Sequence, residues 1–213
     1  MWVVKLGGSL QDSACLKDWL QVFAAHGGGK MVLVPGGGKY ADKVRQEQIL
    51  TGFSDGRAHA LAIGAMEQFA RDLCRFEPRL KPFSRREQLP EILRTGGIPV
   101  WLPSAMVVGR PAIPETWDVT SDSLALWLAG EIRARALVLI KSAAMPAAVG
   151  SIDALSGSGL LDAFFPSLFR HHPVKLEWFT AGEWAKMKTA LISGTLPGSA
   201  RLAEPPREGA VLG

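Results

Sequence analysis

Cysteine is scarce in this chain. Cys15 and Cys74 are its only two thiols, and their separation fits neither a disulfide framework nor a zinc motif, so reduced thiols and a cytoplasmic location are expected. No run of about 18 apolar residues occurs, which argues against a membrane-spanning helix. A signal peptide's apolar core and cleavage site are also missing, and the N-terminus enters a strand pattern at once. Charge of one sign is weak: 24 Lys and Arg against 20 Asp and Glu leave a net +4. That scattered excess excludes a nucleic-acid footprint but suits a small anionic substrate. Of four histidines, His171 and His172 are adjacent and so diverge on any regular element, and no protein-held metal is expected. Repeats, linkers and low-complexity segments are absent too. What is present is an ordinary globular composition, 47% hydrophobic and 21% charged. It fits one domain over residues 1–204, with a flexible tail over 205–213.

The first quarter alternates short apolar runs with helical periodicity. Trp2–Leu6 reads as a buried strand closed by Gly7-Gly8. Asp12 or Ser13 then caps a helix running to about residue 25, with Leu16, Trp19, Leu20 and Phe23 on one face, ended by Gly27-Gly28-Gly29. A second strand over 31–34 runs into Pro35-Gly36-Gly37-Gly38, and helical patterns follow over 40–50 and 55–75. Further on, 85–94 reads as helix, 98–102 as strand, 121–131 as helix, 136–140 and 174–179 as strands, and 182–192 as helix. Strand–helix alternation of this kind predicts an α/β fold, a three-layer αβα sandwich around a mostly parallel sheet.

The chemistry concentrates at the ends of the first two strands. Lys5-Leu6-Gly7-Gly8-Ser9 and Pro35-Gly36-Gly37-Gly38 each place bare backbone where a parallel strand gives way to a helix. Ligands of open α/β sheets bind at that edge, and glycine N–H groups there can cradle phosphate oxygens. Two such turns suit two anionic groups, one from each substrate. A P-loop is excluded, since no G-x-x-x-x-G-K-[ST] occurs. Gly36-x-Gly38-x-x-Ala41 does match a dinucleotide fingerprint, but Asp55, at about the right distance, ends no strand. Lys5 is the sharper sign. Unpaired in a buried strand it would cost on the order of several kcal/mol, whereas near the strand's end its ammonium can reach an anion above the sheet. The alternative is a lysine snorkelling from an edge strand. Thr120-Ser121-Asp122-Ser123 opens a helix, where Asp122 can serve as a cap, as a group facing the phosphates, or as both.

These blocks, Lys5-x-Gly7-Gly8-Ser9, Pro35-Gly36-Gly37-Gly38 and Trp117-x-Val119-Thr120-Ser121-Asp122-Ser123-Leu124-Ala125, occur in the order found in the amino acid kinase superfamily, which the chain resembles to about Leu202. It is most similar to the aminomethylfuran phosphate kinase branch of methanofuran biosynthesis. The W-x-x-T-S-D-S-L block, the short length and the helix carrying His59, Leu61-Ala62-Ile63 and Met66 carry that likeness. The resemblance implies an ATP-dependent kinase. Lys5 would stabilise the transferring phosphoryl group and Asp122 would orient lysines. Gly7, Gly8, Ser9 and Lys141 would hold ATP phosphates. Gly36, Gly37 and Gly38 would face the acceptor, with His59 and Ser121 as further candidates there; His59 reads alternatively as a core or interface histidine. Mg²⁺ would arrive with ATP, and a homo-oligomer is expected. A phosphate acceptor yielding a diphosphate is the leading expectation. A carboxylate or amino acid kinase making an acyl phosphate, and a non-catalytic nucleotide- or anion-binding protein, are the alternatives.

The chain departs from the family after its strand over 136–140. Lys141-Ser142-Ala143-Ala144-Met145-Pro146 stands where the family usually carries a T-D-V-D-G-V-Y-type segment lining the nucleotide pocket. A later Gly-Gly-x-x-Lys segment is absent as well. Lys141 is thus the candidate for an ATP-side lysine, Lys186 and Lys188 being weak substitutes, and Arg45 is a further candidate for the acceptor. The seven tryptophans are expected in the core or at a subunit interface.

Overall fold

The structure, a computed structural model, describes residues 1–145 and 151–198. Residues 199–213, including the expected tail over 205–213, and Pro146 lie outside the described residues. In chain order the elements are β1 (Trp2–Leu6), a 3-10 turn (Gly8–Leu10), α1 (Leu16–His26), β2 (Met31–Pro35), α2 (Gly38–Thr51), α3 (Asp55–Phe76) and β3 (Leu80–Phe83). After a second 3-10 turn (Arg86–Gln88) come α4 (Leu89–Arg94), β4 (Ile98–Trp101), α5 (Ser104–Val107), α6 (Ser121–Glu131) and β5 (Ala136–Lys141). The remaining described elements are α7 (Ile152–Gly157), α8 (Phe165–His171), β6 (Lys175–Thr180) and α9 (Trp184–Ser193).

Six strands form one sheet in the order β3-β4-β2-β1-β5-β6, and every pairing is parallel. The α/β three-layer expectation therefore holds, with a sheet that is parallel throughout. β1 sits near the middle, with Lys5 opposite Val34 of β2 and Leu139 of β5. Its period of two divides the strand between the faces. Trp2, Val4 and Leu6 join Trp19, Phe23, Met187 and Leu191 in the core under α1 and α9. Val3 joins Val34, Leu137 and Leu139 in the core beneath α6 and α8. The same alternation turns Lys5 toward the α6 face.

Several local readings shift. Neither Asp12 nor Ser13 opens α1: Cys15 precedes it, the Ser13 hydroxyl accepts from the Cys15 N–H, and Asp12 pairs instead with Lys39. The expected helix over 85–94 breaks into a 3-10 turn and α4, with Pro90 in the first turn of the latter, where its missing N–H costs nothing. β3 was masked in the sequence by Pro82. It is an edge strand, where a strand tolerates a lost donor.

Candidate active site

The carboxyl ends of β1, β2 and β5 open into a cleft of about 380 Å³. Both glycine turns reach it, but the glycines serve a purpose not legible in the sequence. A Cβ on Gly8 would lie 2.3 Å from the Gly38 nitrogen, and one on Gly36 would lie 2.5 Å from the Gly8 nitrogen. The two turns thus touch backbone to backbone, and glycine is required for that contact before any ligand is considered. Gly38 also has a φ of +51°, the left-handed region that side chains resist. Gly7 and Gly36 stand behind the lining and extend the sheet, donating to Ile140 O at 2.8 Å and Leu6 O at 2.8 Å. Gly8, Ser9, Gly37 and Gly38 line the cleft, and among the described residues their N–H groups donate no turn or loop hydrogen bond to the backbone. The Ser9 hydroxyl donates to Ser142 Oγ at 3.1 Å, bridging the β1 turn to the loop after β5.

A line of three charges occupies the floor. Lys5 and Asp122 are 5% and 3% exposed. Lys5 Nζ lies 2.9 Å from Asp122 Oδ1, a buried ion pair. Lys141 Nζ bonds the other oxygen, Asp122 Oδ2, and donates to Leu160 O at 2.6 Å. Its position follows from the register. Lys141 ends β5 two residues after Leu139, which is opposite Lys5, so both ammoniums rise from one face of adjacent strands. Burial opposes ionisation of Asp122, but Lys5 and Lys141 more than offset it and hold the carboxyl below its usual range. Burial and the Lys5 charge push the Lys141 ammonium below the ordinary lysine value, against the pull of Asp122.

Asp122 does not cap α6. Thr120 is the N-cap, its hydroxyl accepting from the Asp122 N–H. Ser121 lines the cleft, close enough to the second turn that a Cβ on Gly36 would come 3.3 Å from its Oγ. His59 of α3 also lines the cleft and is 4% exposed. Its Nδ1 lies 3.4 Å from Thr116 O, while Nε2 is buried without a partner. Burial lowers its pKa against the opposing influence of Thr116 O and Glu115, leaving a neutral ring near pH 7.

The structure adds residues that sequence reasoning missed. Trp117 is a wall of the cleft rather than core. Its Nε1 donates to Gln48 Oε1 at 2.7 Å, and the Arg45 guanidinium lies over its ring at 4.3 Å. A further stretch of the cleft's lining comes from later in the chain, from Gly159, Leu161 and Asp162. The one sequence signal for Asp162 was an acid inside the apolar run Leu160-Leu161-Asp162-Ala163-Phe164-Phe165. No helix among the described residues is long and apolar enough to cross a membrane.

A model of the amino acid kinase family matches residues 1–144. The chain belongs to the amino acid kinase family, a family of phosphotransferases. Among curated proteins, (5-(aminomethyl)furan-3-yl)methyl phosphate kinase of Methanocaldococcus jannaschii is 29% identical over 140 residues, covering 65% of this chain. The match spans 64% of that relative's length, less than two thirds. Among solved structures, uridylate kinase from Archaeoglobus fulgidus superposes with a TM-score of 0.66 at 18% identity, over 92% of this chain and 96% of its own. An isopentenyl phosphate kinase gives 0.57 at 14% identity, over 91% and 96%. Aspartate kinase from Synechocystis gives 0.59 at 15%, over 85% of this chain and 38% of its own. These likenesses establish the amino acid kinase fold.

Proposed function

We propose that this amino acid kinase family member transfers the γ-phosphoryl group of MgATP to a small phosphate monoester, forming a diphosphate, and that an aminomethylfuran phosphate is the acceptor. The Lys5–Asp122–Lys141 line at the foot of two glycine turns carries the reading. Phosphoryl transfer asks a protein mainly for positioning and for fixed charge beside the moving phosphoryl oxygens. Lys5 and Lys141 supply two cations in a cleft where solvent screens little, and Asp122 holds both without neutralising them. With the family's later lysine segment absent, Lys141 takes the part of the second catalytic lysine.

The N–H groups of Gly8, Ser9, Gly37 and Gly38 add donors for phosphate oxygens on either side of the transferred group. Mg²⁺ belongs to the nucleotide substrate. The described residues contain no cluster of three or more His, Cys, Asp or Glu suited to hold a metal, so the phosphates and water would carry it.

For the acceptor, the unpartnered Nε2 of His59 supports a phosphate. A dianion beside the ring would favour its protonation, letting Nε2 donate to the anion while Nδ1 serves Thr116 O. The M. jannaschii relative's name points the same way. Incubating the protein with MgATP and a panel of acceptors tests this by acceptor-dependent ADP release. Turnover with aminomethylfuran phosphate above uridylate, isopentenyl phosphate, aspartate and acetylglutamate is expected. Turnover confined to carboxylates would replace the reading with an acyl-phosphate kinase. Tight ATP binding with no turnover on any acceptor would make the protein a nucleotide-binding module.

A further inference from the structure

Asp162 is a half-buried acid that the proposed chemistry does not use. It lies five residues beyond the end of α7, lines the cleft, and takes five donors from the start of α6 and from α8. Its Oδ2 accepts from Thr120 N at 2.9 Å, Thr120 Oγ1 at 2.8 Å and Ser123 N at 3.0 Å. Its Oδ1 accepts from Ser123 Oγ and from Phe165 N at 3.0 Å. A carboxylate offers about four lone-pair directions, so this one is saturated. That rules it out as a general base or a ready ligand for Mg²⁺. Burial, and then the charge of Asp122, disfavour its ionised form, while the Ser123 and Thr120 donors favour it.

The location gives the saturation a purpose. The first turn of a helix is itself an anion site, because its N–H groups lack partners and its dipole is positive there. In α6 that site is already filled by the Asp162 carboxylate, so substrate phosphate is left to Lys5, Lys141 and the glycine turns. Thr120 and Ser123, the two residues Asp162 grips, bracket Ser121 and Asp122. Next to Asp162 in sequence, Leu161 lines the cleft, and Leu160 supplies the carbonyl that receives Lys141 Nζ. One segment therefore holds both ends of the Asp122–Lys141 bond.

We infer that Asp162 is a positioning residue: by binding Thr120 and Ser123 it sets the Asp122 carboxylate between Lys5 and Lys141, and with Leu160 it fixes the second lysine. This rests on the phosphoryl-transfer reading for its kinetic consequence but not for its geometry, so the test has two arms. The substitution is Asp162→Asn, which keeps the shape but turns an amide donor toward N–H and O–H donors. Ser123→Ala, which removes one of the five contacts, serves as a milder variant should Asp162→Asn fold poorly.

The first arm needs no turnover. An amine-acylating reagent followed by mass spectrometry reads the reactivity of each lysine. Lys141 acylation should rise several-fold in the variants, while Lys30, held by Leu191 O at 2.7 Å at a distant site, stays as in the parent. Unchanged Lys141 reactivity, or a uniform rise at all lysines, overturns the inference. In the second arm kcat should fall about ten- to a hundredfold for a misplaced group, with KM for MgATP and the Mg²⁺ requirement little changed. In an Asp122→Asn background the same change should cost almost nothing further. A normal kcat in a variant that merely melts earlier, additive losses in the double variant, or a raised Mg²⁺ requirement would each overturn it. An inactive parent protein with a selective rise at Lys141 would retire the kinase reading and leave the positioning role standing.

Discussion

Replacing Asp122 by Asn tests the centre of the site. The amide keeps the side chain's size but removes the only carboxylate between two ammoniums, one belonging to a residue 5% exposed. Removing one partner of a buried ion pair typically costs about 3–5 kcal/mol, since the other charge stays desolvated and unpaired. The lower end applies, because the Lys141 side chain is 16% exposed and can partly return to water. For a domain of this size, ~3 kcal/mol corresponds to a drop in Tm of roughly 6–12 °C. An N-cap reading of Asp122 predicts a near-silent change, since Asn also caps; with Thr120 as the cap, the loss should be plain.

The deficit depends on pH in a defined sense. The lowered carboxyl pKa of Asp122 stabilises the fold at pH values above the unfolded pKa of about 4 and ceases to do so as pH falls through the lower folded value. Parent and variant melts should therefore converge in acid. Saturating MgATP brings the missing negative charge and should restore part of the lost Tm, while kcat stays down by roughly a hundredfold. Thermal melts with and without MgATP, and steady-state rates well below both Tm values, read all of this. Equal Tm with equal kcat would refute the pairing. An earlier melt with normal kcat would reduce Asp122 to a structural role.

Gly8→Ala should destabilise the protein by about 1–3 kcal/mol and depress turnover, since the new methyl would meet the Gly38 backbone at 2.3 Å from nitrogen and 2.8 Å from Cα. Gly64→Ala, in the interior of α3 with open space around it, should instead be neutral or stabilising by up to about 1 kcal/mol; chemical denaturation of both checks the contrast, which fails if the two behave alike. The lowered pKa of Lys141 places the loss of its charge at lower pH than for a free lysine, so activity should fall on the alkaline side below the ordinary lysine value. Lys141→Arg, which stays protonated, should move that alkaline limb upward, and a limb that does not move would assign it to another group.

The strand–helix alternation, the parallel sheet and the kinase family were legible in the sequence because they rest on local signals. These are apolar runs with period two, helical stripes with period 3.6, and glycine turns joined to a lysine and a T-S-D-S block at fixed places along the chain. Lys5 and Asp122 were singled out for a like reason, a charge standing in a buried strand or at a helix start, whereas Lys141 came only from the family resemblance, at the place of the missing segment. Tertiary structure decided how those pieces meet. Backbone contact between Gly8 and Gly38 arises from the adjacency of β1 and β2, and no local signal reports a close approach between residues 30 positions apart. Lys5 and Lys141 share one carboxylate because β5 lies beside β1 in a given register, a pairing that the order of elements permits but does not name. Asp162 was the least legible, because its five donors come from a helix start some 40 residues earlier and from the helix that follows it. A half-buried carboxylate with every lone pair occupied needs partners that converge on it, and that convergence exists only once the chain has folded.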